Sequence, residues 1–452
     1  MFPEHIFKAY DIRGLVAGEL SADLAYRVGR SFVMMLQKKG IRLEGRKVVV
    51  GRDMRQSSPD LAQAVIDGVR ASGVDVVDIG LTSTPLFNFS CAEFPEHAGG
   101  IMVTASHNPG QYNGFKLTLE DGLPIGKNNG MDDLRELVRV GNFAKVEKNG
   151  GLTECSFLNE YLNKIFSLVK TDAIKPLKVV VDAGNGMAKV SLPDVISRLP
   201  IQVEYLFLEP DGNFPNHEAN PLKTETLKDL QAKVLEMGAD FGFALDGDAD
   251  RIGLVNEKGE VVPASYVGGL VGQEVLMNNS GTMMLYDLRS SHIVPELWER
   301  NGAKTAQSVV GHALIKKQMQ DTGAVFASEL SLHLYYRDLH SIESPDLSFL
   351  YVCQMLSRGK KLSELAEPLK KYFHSGEINF EIEEKEKVLE KLKEKFGDAK
   401  ITKLDGLTFE YPDFWFNVRT SNTEPVLRLN LEATSDSLMK EKIQLVKDFI
   451  VH

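Results

Sequence analysis

Phe241–Arg251 reads FGFALDGDADR. Its first five residues are apolar or glycine and show no helical period, as in a strand buried on both faces. The last six are acidic, basic or small. Open α/β sheets bind ligands at the carboxyl ends of their strands, so a buried strand running straight into a polar loop marks such a sheet. The plan recurs on either side. Gly100–Val103 leads into Thr104–Pro109 (TASHNP), and Gly323–Phe326 leads into Ala327–His333 (ASELSLH). Each is paired with an earlier apolar run. Lys47–Val50 meets Gly51–Asp53, Lys178–Val181 meets Asp182–Gly186, and Thr282–Leu285 meets Tyr286–Asp287. Helix-period stretches such as Leu61–Val69 and Leu227–Val234 lie between. The alternation predicts three similar α/β domains with parallel or mixed sheets, their loops converging on one cleft.

The chain ends differently. Glu383–Phe396 is highly charged, with Val388, Leu389, Leu392 and Phe396 at helical spacing, which predicts a solvated helix with one apolar stripe. Phe414–Arg419 and Val426–Glu432 alternate like half-buried strands, joined by Thr420–Pro425 (TSNTEP). A smaller α+β domain is expected here.

Composition sets the outer limits. A chain of 452 residues exceeds one ordinary core. With 43% hydrophobic and 25% charged residues it is globular and not disordered. The formal net charge of −11 argues against nucleic acid or an anionic membrane as partner. No apolar run reaches a membrane-spanning length, and the N-terminal stretch lacks the plan of a secretory signal. Cys91, Cys155 and Cys353 are odd in number and far apart, with neither disulfide-framework nor zinc spacing, so a cytoplasmic location is expected.

Chemistry concentrates in a few loops. Asp246, Asp248 and Asp250 stand at i, i+2 and i+4. On an extended segment that spacing sets three carboxylates on one side, suited to a hard divalent cation such as Mg²⁺. An EF-hand is excluded, because Arg251 takes the position of its turn glycine and a strand precedes the loop. Arg251 beside these aspartates points to an anionic oxygen nearby. Ser106 lies in the short loop Thr104–Pro109 without the flanking glycines of a nucleophile elbow, so a hydrolase triad fits poorly. A phosphoryl group on Ser106 fits better, with Lys116 close enough in sequence to serve the same loop. Arg419–Pro425 packs one guanidinium with several small hydrogen-bonding side chains, a set suited to phosphate oxygens. Arg13 in Tyr10–Gly14 (YDIRG) is a further candidate phosphate contact. Neither a Walker A motif nor G-x-G-x-x-G occurs. Phosphoryl transfer among small phosphorylated metabolites is the chemistry left.

The sequence resembles the α-D-phosphohexomutase superfamily, and within it the bacterial phosphomannomutase/phosphoglucomutase branch. The resemblance rests on Phe7–Gly14 (FKAYDIRG), Val50–Pro59 (VGRDMRQSSP), Thr104–Lys116 (TASHNPGQYNGFK), Asp246–Arg251 (DGDADR), Gly311–Lys316 (GHALIK) and Arg419–Glu432 (RTSNTEPVLRLNLE). It implies four domains around one cleft: 1–150 with the phosphoserine loop, 151–254 with the metal loop, 255–365 with the sugar loop and 366–452 with the phosphate loop. It implies an intramolecular phosphotransferase acting on mannose or glucose phosphates. Ser106 would carry the phosphoryl group, and Ser106, Asp246, Asp248 and Asp250 would hold Mg²⁺. Lys116, Arg13 and His333 match the acid–base and charge-stabilising positions. Tyr10, Arg251, Arg289, His312, Glu329 and Ser331 match substrate contacts, and Arg419, Ser421, Asn422 and Thr423 match the loop that holds the non-reacting phosphate. A hexose 1,6-bisphosphate would serve as activator and intermediate, a phosphosugar as the small-molecule partner, and the protein as a monomer or a dimer.

Two stretches depart from the resemblance, Leu339–Asp346 (LHSIESPD) and the sugar loop. The family's sugar loop reads G-E-x-S-G-H, whereas this chain has Ser328-Glu329-Leu330-Ser331-Leu332-His333. Both glycines are replaced, and glycine often stands where the backbone needs positive φ. Two other functions follow from that departure or from the chemistry: a sugar-phosphate-binding paralogue with weak turnover, and a metal-dependent phosphatase.

Overall fold

A computed structural model of the chain describes residues 2–127, 129–421 and 426–451. Two compact units result: Met1–Pro263 with Ser331–Ser363, and Ala264–Leu330 with Glu364–His452.

The first unit begins with a six-stranded mixed sheet in the order Ile12–Leu15, Tyr112–Leu119, His97–Val103, Lys47–Arg52, Asp75–Leu81, Leu152–Glu154. Lys47–Arg52 runs parallel to both neighbours, and Tyr112–Leu119 closes antiparallel on His97–Val103. Val48, Val49 and Val50 are fully buried, as a strand between two helical layers requires. The helices Ala22–Lys38 and Ser58–Arg70 pack closely on one face. A Cβ on Gly68 would lie 2.2 Å from the Tyr26 carbonyl oxygen, and one on Gly29 would lie 2.4 Å from that of Val65. The backbones touch because neither residue has a side chain.

A second mixed sheet follows: Val261–Val262, Ile252–Asn256, Phe241–Leu245, Leu177–Asp182, Ile201–Leu206. Phe241–Leu245 is buried along its whole length, as its composition predicts. The sheets overrun the expected domain limits. Leu152–Glu154 pairs with the first sheet, and Ile252–Asn256 crosses residue 254.

Residues Ser331–Ser363 return to this unit as a short hairpin, Leu334–Tyr336 with Ile342–Glu343, and the helix Pro345–Leu356. Ser344 caps that helix, its Oγ accepting from Leu347 N at 3.0 Å. Asp346 Oδ2 accepts from Ser191 Oγ at 2.7 Å and from Tyr161 Oη at 3.1 Å.

In the second unit Met283–Asp287 lies parallel to Lys304–Ser308 and Phe326–Ser328. The strand expected over Gly323–Phe326 starts only at Phe326, because Gly323 at φ +67° ends the helix His312–Thr322. A five-stranded antiparallel sheet follows in the order Phe373–Glu381, Val426–Ala433, Phe414–Thr420, Leu407–Glu410, Lys400–Thr402. The charged stretch forms the helix Lys385–Lys395, with Leu392 buried on its apolar stripe. Phe409 and Phe416 stack at 4.6 Å in the core beneath it. No helix among the described residues is long and apolar enough to cross a membrane.

Burial pushes the Asp346 carboxyl up to about 6, despite the hydroxyls that hydrogen-bond it. An acid raised in the folded state binds its proton there when the unfolded chain has already lost it. Stability contributed by the protonated form is therefore complete below about 4 and lost as pH rises through about 6, worth up to about 3 kcal/mol. Asp346→Asn is expected to gain on the wild type by that amount between those limits, measured by urea unfolding at a series of pH values.

Candidate active site

The acidic loop closes the strand Phe241–Leu245. Sequence spacing predicts an extended segment for Asp246–Asp250, but the chain forms a tight turn, with Ala249 at φ +57°. The three carboxylates still meet, because the turn folds them inward. One oxygen of each lies within 4.8 Å of the others, and all three residues are buried.

Such crowding needs compensation. Lys116, on the strand Tyr112–Leu119, donates to Asp248 Oδ2 at 2.6 Å and to Asp250 Oδ2 at 2.7 Å. Burial alone would lower the Lys116 pKa; the two carboxylates outweigh it and hold it above the ordinary lysine value. Thr84, opening the helix Thr84–Ala92, donates through Oγ1 to Asp248 Oδ2 at 2.6 Å, and its N–H donates to the Asp248 carbonyl. Arg251 Nε stands 3.7 Å from Asp246 and 3.9 Å from Asp250. His333 Nε2 lies 3.2 Å from both Arg251 Nε and Asp250 Oδ1, and its Nδ1 is 2.9 Å from Ser331 Oγ. The compensation is unequal. Burial raises the Asp250 carboxyl, yet Lys116, His333 and Arg251 hold it well below the usual range. Burial together with Asp250 and Asp248 pushes Asp246 well above it.

Ser106 faces this group. Its Oγ donates to Asp246 Oδ2 at 2.9 Å and lies 3.1 Å from His107 Nδ1. Burial, with Arg251 and Arg13 nearby, keeps His107 well below the usual histidine range, so it is neutral. Ser106 itself adopts φ +51°, a conformation that non-glycine residues hold only under constraint. The constraint is Arg55, 1% exposed. Its Nη2 donates to the carbonyls of Ser106 at 2.9 Å and Asn108 at 2.5 Å, and its Nη1 to those of Pro109 at 2.8 Å and Tyr112 at 2.9 Å. Asp53 orients the fork by accepting from Arg55 Nε at 3.1 Å, and Phe214 covers it at 5.2 Å. Arg13 reaches the same loop, donating to Asn108 Oδ1 at 2.7 Å and to Asp11 at 2.5 Å. Tyr10 is half-buried, three residues before Arg13.

These donors fit a hard divalent cation. Three carboxylates and the Ser106 hydroxyl supply oxygen only. Asp248 Oδ1 is buried without a hydrogen-bond partner, which leaves a carboxylate oxygen open to a cation.

The remaining expected residues belong to the second unit. Arg289 follows the strand Met283–Asp287 and donates through Nη2 to Asp287 Oδ2 at 2.6 Å. Asp287 Oδ2 also accepts from Leu330 N at 2.9 Å, tying Arg289 to the segment that carries Glu329. Glu329 Oε1 lies 3.9 Å from Arg289 and accepts from Gly311 N at 3.2 Å, just before His312. Arg419 is 1% exposed at the end of the strand Phe414–Thr420. Ser421 N donates to the Val426 carbonyl. Asn422 and Thr423 lie outside the described residues.

The chain matches four successive descriptions: phosphoglucomutase/phosphomannomutase alpha/beta/alpha domain I over residues 4–143, domain II over 159–259, domain III over 264–372 and the C-terminal domain over 377–447. It belongs to the phosphoglucomutase/phosphomannomutase family. A phosphomannomutase of Methanocaldococcus jannaschii is 37% identical, covering 98% of this chain and 97% of its own. A phosphomannomutase/phosphoglucomutase of Pseudomonas syringae is also 37% identical, over 98% and 94%. The crystal structure of a phosphoglucomutase/phosphomannomutase family protein from Burkholderia thailandensis superposes with a TM-score of 0.91 at 34% identity, covering 100% of this chain and 98% of its own.

In this family member the stretch Ser328–His333, where both glycines of the family pattern are replaced, carries backbone strain. Leu332 adopts φ +69°, the conformation for which glycine has no penalty, and its side chain is buried. Leu332→Ala keeps that strain and loses the burial, whereas Leu332→Gly loses both. The glycine variant is therefore expected to be the more stable of the two by about 1 kcal/mol in chemical unfolding. Arg55 was not distinguished by sequence, since its partners are backbone carbonyls. Arg55→Lys keeps the charge but not the planar fork, and is expected to lower kcat about 100-fold with KM little changed. An unchanged kcat at a temperature well below unfolding would remove Arg55 from the positioning of Ser106.

Proposed function

We propose that this enzyme interconverts the 1- and 6-phosphates of a hexose, mannose and/or glucose, through phosphorylated Ser106 and a hexose 1,6-bisphosphate. The observation that carries the reading is the placement of Ser106 Oγ, 2.9 Å from an aspartate of a buried acidic triad and held there by a strained loop. A nucleophile aimed at a carboxylate gains nothing from it as a base once it carries phosphate. It gains a great deal from a cation that the carboxylates hold.

The transfer breaks the Ser106 O–P bond and forms a bond from phosphorus to a sugar hydroxyl oxygen. The hydroxyl proton leaves to a base, and the Ser106 oxygen takes up a proton from Lys116, the other proposed acid–base group. His333, beside Arg251 and Asp250, is the proposed acceptor of the sugar proton. Lys116 and Arg251 offset the charge spread over the transferring oxygens, and Arg13 steadies the loop through Asn108. Asp246, Asp248, Asp250 and Ser106 are the proposed Mg²⁺ ligands, and the ion would supply further neutralisation of phosphoryl charge. Arg419 and Ser421, with Asn422 and Thr423, are assigned the phosphate that is not reacting, and Arg289 is assigned as a substrate contact. Glu329 and Ser331 are assigned the sugar hydroxyls, with His312 and Tyr10 as further substrate contacts. The reverse transfer, after the bisphosphate turns around, restores phosphoserine.

A phosphosugar partner and a cytoplasmic setting go with this reading. The binding-paralogue alternative is not favoured, since relatives matched over almost the whole chain bear the names phosphomannomutase and phosphomannomutase/phosphoglucomutase. Ser106→Ala is expected to lose at least about 1,000-fold in turnover of glucose 1-phosphate and of mannose 1-phosphate, assayed side by side with Mg²⁺ and a trace of hexose 1,6-bisphosphate. Full activity in that variant would sink the phosphoserine mechanism.

A further inference from the structure

The strand Phe373–Glu381 is interrupted. Its register against Val426–Ala433 shifts between His374 and Glu377, and Gly376 sits at φ +70°. The interruption is anchored, since Ser375 Oγ accepts from Leu431 N at 2.9 Å and Asn430 Nδ2 donates to the Gly376 carbonyl at 3.1 Å. Bulges re-aim the side chains that follow them. Here the re-aimed side chain is Glu377.

Its carboxylate is surrounded by guanidinium groups. Arg419 Nη2 lies at 2.9 Å, Arg428 Nη1 at 3.0 Å and Arg289 Nη1 at 3.5 Å. Glu377 is the most exposed of the four side chains, at 23%, against 17% for Arg428, 8% for Arg289 and 2% for Arg419. The anion is thus the most solvent-accessible member of the cluster. Convergent guanidinium forks are the arrangement that recognises phosphate oxygens. The carboxylate is ionised: burial would raise its pKa, but the three arginines outweigh burial and hold it below the usual range. It also relieves the arginines. Burial and neighbouring Arg289 both disfavour the charged form of Arg419, and Glu377 works against them.

We propose that Glu377 is a resident anion in this pocket, held where a phosphate binds, and that a phosphate monoester enters by displacing it. Arg428 is then a third guanidinium of the site. The inference rests on the assignment of Arg419 to the non-reacting phosphate and of Arg289 to substrate contact. Its consequence is selectivity. A dianion with three acceptor oxygens outcompetes a carboxylate with one charge and two oxygens, whereas a monoanion such as chloride does not. The pocket stays neutralised until the correct charge arrives.

Binding of inorganic phosphate to the full chain, by calorimetry at about pH 8 where phosphate is largely dianionic, tests this without sugar or turnover. Glu377→Gln keeps the shape and removes the charge; it is expected to bind phosphate about tenfold more tightly than the wild type and to lose more of that affinity to added chloride. Glu377→Asp, charged but shorter, is expected to fall between them. Adding Arg428→Gln to the Glu377→Gln variant is expected to cancel the gain, which assigns it to this pocket. Equal or weaker phosphate binding by Glu377→Gln, or a gain that survives Arg428→Gln, would overturn the proposal. Tighter phosphate binding in a protein that turns over neither hexose phosphate would leave the resident anion standing and remove the mutase reading instead.

Discussion

Three buried carboxylates within 4.8 Å of one another are the arrangement on which the first unit depends. Like charges at that separation, out of water, repel strongly enough to reopen a loop unless cations meet them. The compensation is drawn from several sheets and loops. Lys116 arrives from the first sheet, Thr84 from a helix start, Arg251 from the same turn and His333 from the returning segment. The acidic turn therefore ties together parts of the chain far apart in sequence. The candidate site and the structural joint are the same residues.

The second unit solves the opposite problem by the same physics. There the crowded charges are guanidinium groups, and single carboxylates, Asp287 and Glu377, hold them in place. Positive and negative crowding are thus kept apart, each neutralised locally.

Much of this was legible in the sequence, because it depends on local pattern. Apolar runs ending in polar loops marked the strands, and the i, i+2, i+4 aspartates marked the acidic site, although the chain turns there and does not extend. The replacement of glycine by Leu332 marked a backbone under strain, which its φ of +69° bears out. What escaped depends on tertiary placement. Arg55 is one arginine among many until four carbonyls of a distant loop are seen to converge on it. Arg428 reads as an ordinary alternating strand residue and Glu377 carries no motif, since the bulge at Gly376 that re-aims Glu377 leaves no mark on composition. The start of the strand at Phe326 was misplaced because an apolar run cannot show that its first glycine is a helix cap.

The return of residues 331–363 to the first unit has a consequence for how the protein is made. The hairpin and helix of that segment supply Asp346, which accepts from Ser191 and Tyr161, and His333, which meets Asp250. As the chain leaves the ribosome, the first unit lacks these groups until Ser363 has emerged, and by then the second unit has only its Ala264–Leu330 part, without Glu364–His452. Synthesis from the N-terminus cannot complete one unit before starting the next. The nascent chain holds two unfinished cores at once, a period in which a chaperone has apolar strands of both to cover.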